Sequence, residues 1–139
     1  MRKLRALILP ILLFCVAAAQ LSCGSNSGLQ SITIAPASAD AKNFPSGQVP
    51  FTATGVYAGS SQSVPVSVLW WNEPPWAPVA ATPSSAPFDI TAAGIATCVQ
   101  GASGTFTVWA TAPVDRWLPA SQMTADTPRR TATAQITCP

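Results

Sequence analysis

The 139 residues of this chain include seven basic and five acidic side chains, 14 prolines and no histidine. This length suits one domain and leaves no room for a second one of ordinary size. The prolines argue against long helices, and the lack of histidine removes the commonest general base and metal ligand. The composition therefore disfavours a helical protein and most kinds of enzyme.

The N-terminus has the organisation of a secretory signal. Arg2, Lys3 and Arg5 precede an apolar run over residues 6–19, and charged and apolar regions follow this order in signal peptides. The run has 14 residues, whereas a membrane-spanning helix needs about 20. We therefore expect the chain to be exported and the signal to be removed.

Removal of the signal changes the charge of the protein. Four basic and five acidic residues remain, so the net charge falls from +2 to −1. Arg129 and Arg130 are the only adjacent cations among them, and affinity for a phosphate backbone depends on clustered Lys and Arg. We therefore expect no nucleic-acid partner.

Two cleavage sites compete. The alanines at 17–19 fit ordinary signal peptidase, which would secrete a chain that starts at Gln20. The segment LSCG at 21–24 resembles the lipobox of bacterial lipoproteins, in which the cysteine, here Cys23, carries lipid, although Gln20 stands where that pattern usually has Leu. Gly24 after the cysteine resembles lipoproteins that move to the outer membrane. We favour a lipid anchor at the cell envelope, with secretion as the alternative.

Cysteine pairing supports the lipid anchor. Cys15 lies within the signal, which leaves Cys23, Cys98 and Cys138 in an oxidising compartment, where unpaired thiols are uncommon. If Cys23 carries lipid, Cys98 and Cys138 form one disulfide. The predicted organisation is a signal peptide, a flexible tether and one domain, over residues 1–22, 23–28 and 29–139.

Alternating apolar and polar residues predict strands along this domain. In the first run, Leu29 falls on the same face as Ser31, opposite Ile32 and Ile34, and in the third run Trp70 points inward. Each pattern is typical of a strand with one buried face. The runs predict an all-β sandwich of about seven short strands. The clearest runs are LQSITIAPAS, VPFTATGVYAG, VPVSVLWW, GTFTVWAT and TATAQITC.

These runs also carry a family resemblance. The most specific parts are the segments FTATG at 51–55 and GIAT at 94–97, together with Trp70. From 29 to 137 the chain resembles the bacterial immunoglobulin-like domain of group 2, the module of intimin- and invasin-type adhesins. The resemblance implies an immunoglobulin-like sandwich with Trp70 in its core. Cys98 departs from it, because the family usually has Gly at that place.

Two segments, 72–88 and 113–130, are longer than the family's usual connections and contain Trp76 and Trp117. Alternation places Trp71 and Trp109 on outward faces. Together the four tryptophans form a possible binding surface, because Trp is heavily used at interfaces. Alternatively, the long segments fold back over the sheet and their tryptophans pack on Trp71 or Trp109. We favour this second interpretation, because a small domain must cover its open sheet face.

The sequence offers little for catalysis. The acidic residues are scattered, with no spacing typical of a calcium loop or a glycosidase pair. We expect no enzymatic activity, no metal and no cofactor. The predicted function is adhesion or interaction at the cell surface with a protein or glycan, and the alternative is a structural spacer that has no ligand of its own.

Overall fold

The computed structural model describes residues 27–75 and 86–139, which form an all-β sandwich. Within this part of the chain there are ten short strands, and no helix is long and apolar enough to cross a membrane. The strands are β1 (Leu29–Ala35), β2 (Ser38–Asp40), β3 (Gln48–Pro50), β4 (Thr52–Tyr57), β5 (Ser63–Pro65), β6 (Leu69–Trp71), β7 (Phe88–Ile90), β8 (Ile95–Cys98), β9 (Gly104–Pro113) and β10 (Arg129–Cys138).

The strands pair in the orders β1–β4–β5, β3–β8–β7 and β2–β10–β9–β6. The first two groups continue into each other, because Phe51 alone separates β3 from β4 and its N–H donates to the Gly94 carbonyl at 2.9 Å. We describe them as one layer, which packs on the layer formed by the third group. All the pairings are antiparallel except the one between β2 and β10.

Two of the predicted strands change layer along their length. The first run leaves β4 at the cis peptide bond between Ala35 and Pro36 and continues as β2 against β10. The third run pairs with β4 as β5, crosses between the layers at residues 66–68, and pairs with β9 as β6. With the break at Phe51 between β3 and β4, these divisions give the described chain ten strand segments where alternation predicts about seven.

The predicted facing of Leu29 is wrong. The register between β1 and β4 shifts between Leu29 and Ser31, and such a bulge inserts one extra residue into a strand. Because side chains alternate with period two, the extra residue turns Leu29 to the same side as Ile32 and Ile34. All three are buried in the core.

The core lies between the inner faces of the two layers. Trp70 packs against it as predicted, and its ring centroid is 6.5 Å from that of Phe51. Val108 and Ile136 face it from β9 and β10, as the alternation of these runs predicts. Its largest fully buried side chains are Phe51, Phe88, Leu29, Ile136, Val49, Val108 and Thr111.

A disulfide joins the two layers at one end. Cys98 on β8 and Cys138 on β10 are bonded, with their Cα atoms 5.8 Å apart, which confirms the predicted pair. We call this the disulfide end. The opposite end carries the residues between β9 and β10, the 114–128 loop, and we call it the loop end. The ten residues of β10 separate the two ends by about 30 Å.

Asp40 forms a local ion pair near the disulfide end. Its carboxylate accepts the Lys42 N–H at 3.1 Å and lies 3.0 Å from Lys42 Nζ. The hydrogen bond from the Lys42 side chain holds the pKa of Asp40 below its ordinary value of 3.8. A carboxyl with a lowered folded-state pKa stabilises the fold above its unfolded-state pKa, and this contribution is lost as the pH falls through the folded-state value.

We expect Lys42→Ala to raise the pKa of Asp40 toward 3.8 and to reduce this contribution to stability, because the backbone N–H alone remains to favour the carboxylate. An NMR titration of the Asp40 carboxyl carbon measures the change. Lys42→Arg keeps the cation and serves as the control. An Asp40 pKa that is the same in the Lys42→Ala variant and in the native chain would contradict the assignment.

Candidate functional site

The 114–128 loop is held at its base and folded back on the sheet. The Val114 N–H donates to the Pro128 carbonyl at 2.8 Å, which continues the pairing of β9 with β10. The 3-10 turn Ala120–Gln122 packs against β9, and Ala120 and Met123 are buried. Thr111 on the outer face of β9 is also fully buried, which is consistent with cover from this loop. The expectation that the loop folds back on the sheet is correct for this part of it.

Trp117 does not take part in that packing. It is 80% exposed, so the expectation that the tryptophan of this loop packs on Trp71 or Trp109 is wrong. The turn that carries Trp117 is ordered by Asp115, whose carboxylate accepts the Trp117 N–H at 2.9 Å and whose carbonyl accepts the Leu118 N–H at 3.2 Å. Such side-chain capping favours turns, and this one presents the indole to solvent.

Arg116 connects Trp117 to the body of the sandwich. Its guanidinium carbon lies 5.1 Å from the centre of the Tyr57 ring and 5.2 Å from the centre of the Trp117 ring. Both distances are within the range of cation–π attraction, which is worth about 0.5–1 kcal/mol at an exposed site. Tyr57 is the last residue of β4, so the sheet positions one side of this arrangement. We call these three residues the aromatic clamp.

An open cleft of about 460 Å³ adjoins the aromatic clamp. Its lining includes the first described residues, which are held in place: the Gly28 carbonyl accepts the Ala58 N–H at 2.9 Å, and the Leu29 N–H donates to the Val114 carbonyl at 2.8 Å. A Cβ at Gly28 would lie 2.9 Å from a Val114 methyl group, so a side chain has no room there. The cleft is lined by Ser27, Gly28, Val114, Asp115, Arg116, Leu118, Thr127 and Pro128.

The other predicted surface residues are elsewhere. Trp71 on β6 lies directly opposite Trp109 on β9, both half-buried and on the face away from Trp70 and Ala110. This placement agrees with the predicted outward facing, and a binding role for the pair stays a prediction. Trp76 and Cys23 lie outside the described residues. Among the described residues, the structure pairs Trp71 with Trp109 and places Trp117 beside Arg116 and Tyr57.

Sequence reasoning missed two members of the aromatic clamp. Alternation places Tyr57 on the same strand face as Phe51, and the structure packs it, half-buried, against the core; its contact with Arg116 is not part of that pattern. Two sequence features point toward these residues: Arg116 is adjacent to Trp117, and Tyr57 lies at the end of its alternating run. The contact between them joins residues almost 60 positions apart, and strand periodicity does not specify such pairings.

Charge is unevenly distributed along the sandwich. Arg116, Arg129 and Arg130 lie at the loop end with Asp115 and Asp126, so three cations and two anions give a net +1 there. The remaining charged residues of the described chain are Lys42, Asp40, Glu73 and Asp89, which together give −2. Arg129 and Arg130 donate to the carbonyls of Ala125 and Gln30 at 2.7 and 2.9 Å. The loop end is therefore the more positive part of the domain.

Within residues 27–75 and 86–139, no three His, Cys, Asp or Glu side chains meet in a way that would hold a metal ion. The described chain is thus an all-β sandwich with an exposed aromatic and cationic group at one end. The chain matches no protein-family model and no curated protein.

Proposed function

We propose that this chain is a non-catalytic interaction module of the bacterial cell envelope. It is an immunoglobulin-like domain of the group 2 type, exported and attached to the membrane by lipid on Cys23, and its partner contact is the aromatic clamp with the adjacent cleft. The sequence pattern from 29 to 137 supports the domain type, and the signal and lipobox-like segment support the location.

The observation that carries the contact site is the geometry of Trp117. An indole that is 80% exposed leaves a large apolar area in water, and large aromatic side chains dominate binding energies when a partner covers them. Asp115 orders the backbone of Trp117 and Arg116 braces its ring against Tyr57. A side chain that is held in place before binding loses less conformational entropy on association.

The chemistry of the exported chain supports a role without catalysis. It has no histidine, so the usual base for activating a serine or threonine is lacking. The cleft beside the clamp carries one carboxylate, Asp115, and that carboxylate accepts the Trp117 N–H. A rigid sandwich with an aromatic contact is suited to binding a sugar ring, a peptide or another surface.

We expect Trp117→Ala to weaken partner binding by about 30-fold, the loss typical of a central aromatic contact. Its urea unfolding midpoint should stay close to that of the native chain, because the side chain is exposed. Binding of envelope glycans and peptides is measured by isothermal titration calorimetry, which does not depend on the tryptophan that is replaced. Trp117→Phe, which keeps an aromatic ring, should retain most of the binding.

Val99→Ala is the control, because Val99 is a partly exposed apolar residue beside Cys98 at the disulfide end. It should bind like the native chain. Equal affinity of the native chain and Trp117→Ala for every partner that binds would refute this contact site. A Trp117→Ala variant that fails to fold would show that the indole has a packing role instead.

A structural spacer that pairs with another protein is the second candidate. β5 is the edge of its sheet, with β4 as its neighbour, and its three residues are exposed. An exposed edge accepts an added strand through its backbone groups. The Val66 N–H donates to Ala53, so by the alternation of an antiparallel ladder Val64 bonds to Gly55 of β4 and Ser63 offers its N–H at the open edge. A partner held in this way would be lost on substitution of Ser63 by Pro, which removes that donor, and would bind Trp117→Ala normally.

A further inference from the structure

The first residues that the structure describes, Ser27 and Gly28, lie at the loop end, and this determines where a lipid anchor would attach. The Gly28 carbonyl accepts a hydrogen bond from the Ala58 N–H, and the Leu29 N–H donates one to the Val114 carbonyl. Ser27 and Gly28 line the same cleft as Arg116. The segment that leads back to Cys23 therefore leaves the domain beside the aromatic clamp.

The reach of that segment is short compared with the domain. Cys23 precedes Ser27 by four residues, and a fully extended chain spans at most about 3.6 Å per residue, or about 14 Å. The two ends of the sandwich are about 30 Å apart along β10. A lipid on Cys23 therefore keeps the loop end close to the membrane, and the disulfide end is the one directed away from it.

The side chains at the loop end fit a membrane surface. Tryptophan is favoured at the boundary between lipid and water, where its ring is partly apolar and its N–H finds a partner. The guanidinium of Arg116 lies against the exposed Trp117 ring, and arginine binds phosphate oxygens through its planar set of donors. The net charge of +1 at this end, against −2 for the rest of the domain, favours an anionic surface.

We infer that the partner of the aromatic clamp is the bilayer surface to which the chain is tethered, with Trp117 at the lipid headgroups and Arg116 on their phosphates. This inference rests on the lipid anchor of the proposed function. The clamp then acts as a second membrane contact beside the acyl chains. It holds the sandwich with the disulfide end outermost, and with β5 and the Trp71–Trp109 pair on its sides.

The test begins with intact mass spectrometry of the membrane-purified chain, followed by reconstitution of that chain in vesicles of phosphatidylethanolamine and phosphatidylglycerol. Brominated phospholipids quench only tryptophans that are close to the bilayer. We expect them to quench a component of the native emission that is missing in Trp117→Phe. Trp109→Phe is the matched control and should leave the quenched component in place, because Trp109 lies on the side of the sandwich.

A soluble form gives the energetic test. The Cys23→Ser chain lacks the lipid acceptor, and its binding to phosphatidylglycerol vesicles is measured by co-sedimentation. We expect Trp117→Ala to weaken this binding about tenfold and Arg116→Gln about fivefold, the effect of one cation near an anionic surface. Phosphatidylcholine vesicles should bind less of the native Cys23→Ser chain than phosphatidylglycerol vesicles do.

The outcomes separate the inference from the proposed function. An acylated chain whose bromolipid quenching is the same in Trp117→Phe as in the native protein overturns the membrane contact and leaves the lipid anchor standing. Binding of a glycan or peptide that needs Trp117, without any binding to lipid, likewise supports the proposed function and overturns this inference. A mature chain without acyl mass on Cys23 removes the anchor and overturns both the tethered location and the membrane contact.

Discussion

We expect replacement of Cys98 and Cys138 by alanine to lower the free energy of unfolding by about 3–4 kcal/mol. The two cysteines are 40 residues apart in sequence and 5.8 Å apart between Cα atoms, so the bond closes a long loop in the unfolded chain. A crosslink of this length removes unfolded-state entropy worth about 4 kcal/mol at 25 °C in the loop-closure estimate. Small sandwiches have only about 5–15 kcal/mol in total, so the loss is a large fraction.

Urea unfolding followed by tryptophan fluorescence measures this effect. The double variant should unfold at a lower urea concentration and with a steeper dependence on urea, because its unfolded chain exposes more surface. A thiol reductant is the control: it should lower the midpoint of the native chain to that of the variant and leave the variant unchanged. Equal midpoints for the oxidised native chain and the variant would mean that the disulfide adds nothing to stability.

We expect Gly94→Ala to have the second large effect and to lower the free energy of unfolding by about 2–5 kcal/mol. Gly94 is buried in the turn between β7 and β8 and has φ +82°, a left-handed conformation that costs an alanine about 1–2 kcal/mol. An added Cβ would also collide with the Phe51 carbonyl oxygen and lie 3.0 Å from the Trp70 ring. Overpacking of this kind costs about 1–3 kcal/mol more.

The chain offers a matched control for this substitution. Gly101 has φ +84°, almost the same backbone conformation, and an added Cβ there has nothing within 4 Å. Gly101→Ala should therefore show the conformational cost alone, about 1–2 kcal/mol. The difference between the two variants measures the close approach of β8 to Phe51 and Trp70. If both variants lose the same stability, the steric part of the argument is wrong.

The strands of the long hairpin show what local pattern can predict. In β9 and β10, Val108, Ala110, Ala134 and Ile136 alternate with residues of the outer face, and all four are buried. The pairing of ten residues without a bulge preserves that alternation along the whole ladder. For β1 the predicted facing is wrong at Leu29, because one extra residue enters the pairing with β4. Nothing in the seven residues of β1 indicates that insertion.

The candidate site depends more heavily on tertiary contacts. Trp117 was recognised from its residue type and its position in a long loop. Its exposure follows from how the loop folds, with Ala120 and Met123 turned toward the sheet and the indole away from it. Tyr57 contacts Arg116 because β4 ends close to the start of the 114–128 loop. The residues next to Tyr57 and Arg116 in the sequence do not predict this contact.

The alternation of apolar and polar residues is enough to predict the all-β class and the inward facing of Trp70. Counting the cysteines predicts the pair Cys98–Cys138 only on the condition that Cys23 carries lipid, and the observed bond confirms the pair itself. The change of layer at Pro36, the division of the third run into β5 and β6, and the aromatic clamp at the loop end became known only from the folded structure. These features depend on which distant segments pair and in what register, and that choice is made by the burial of the whole core at once.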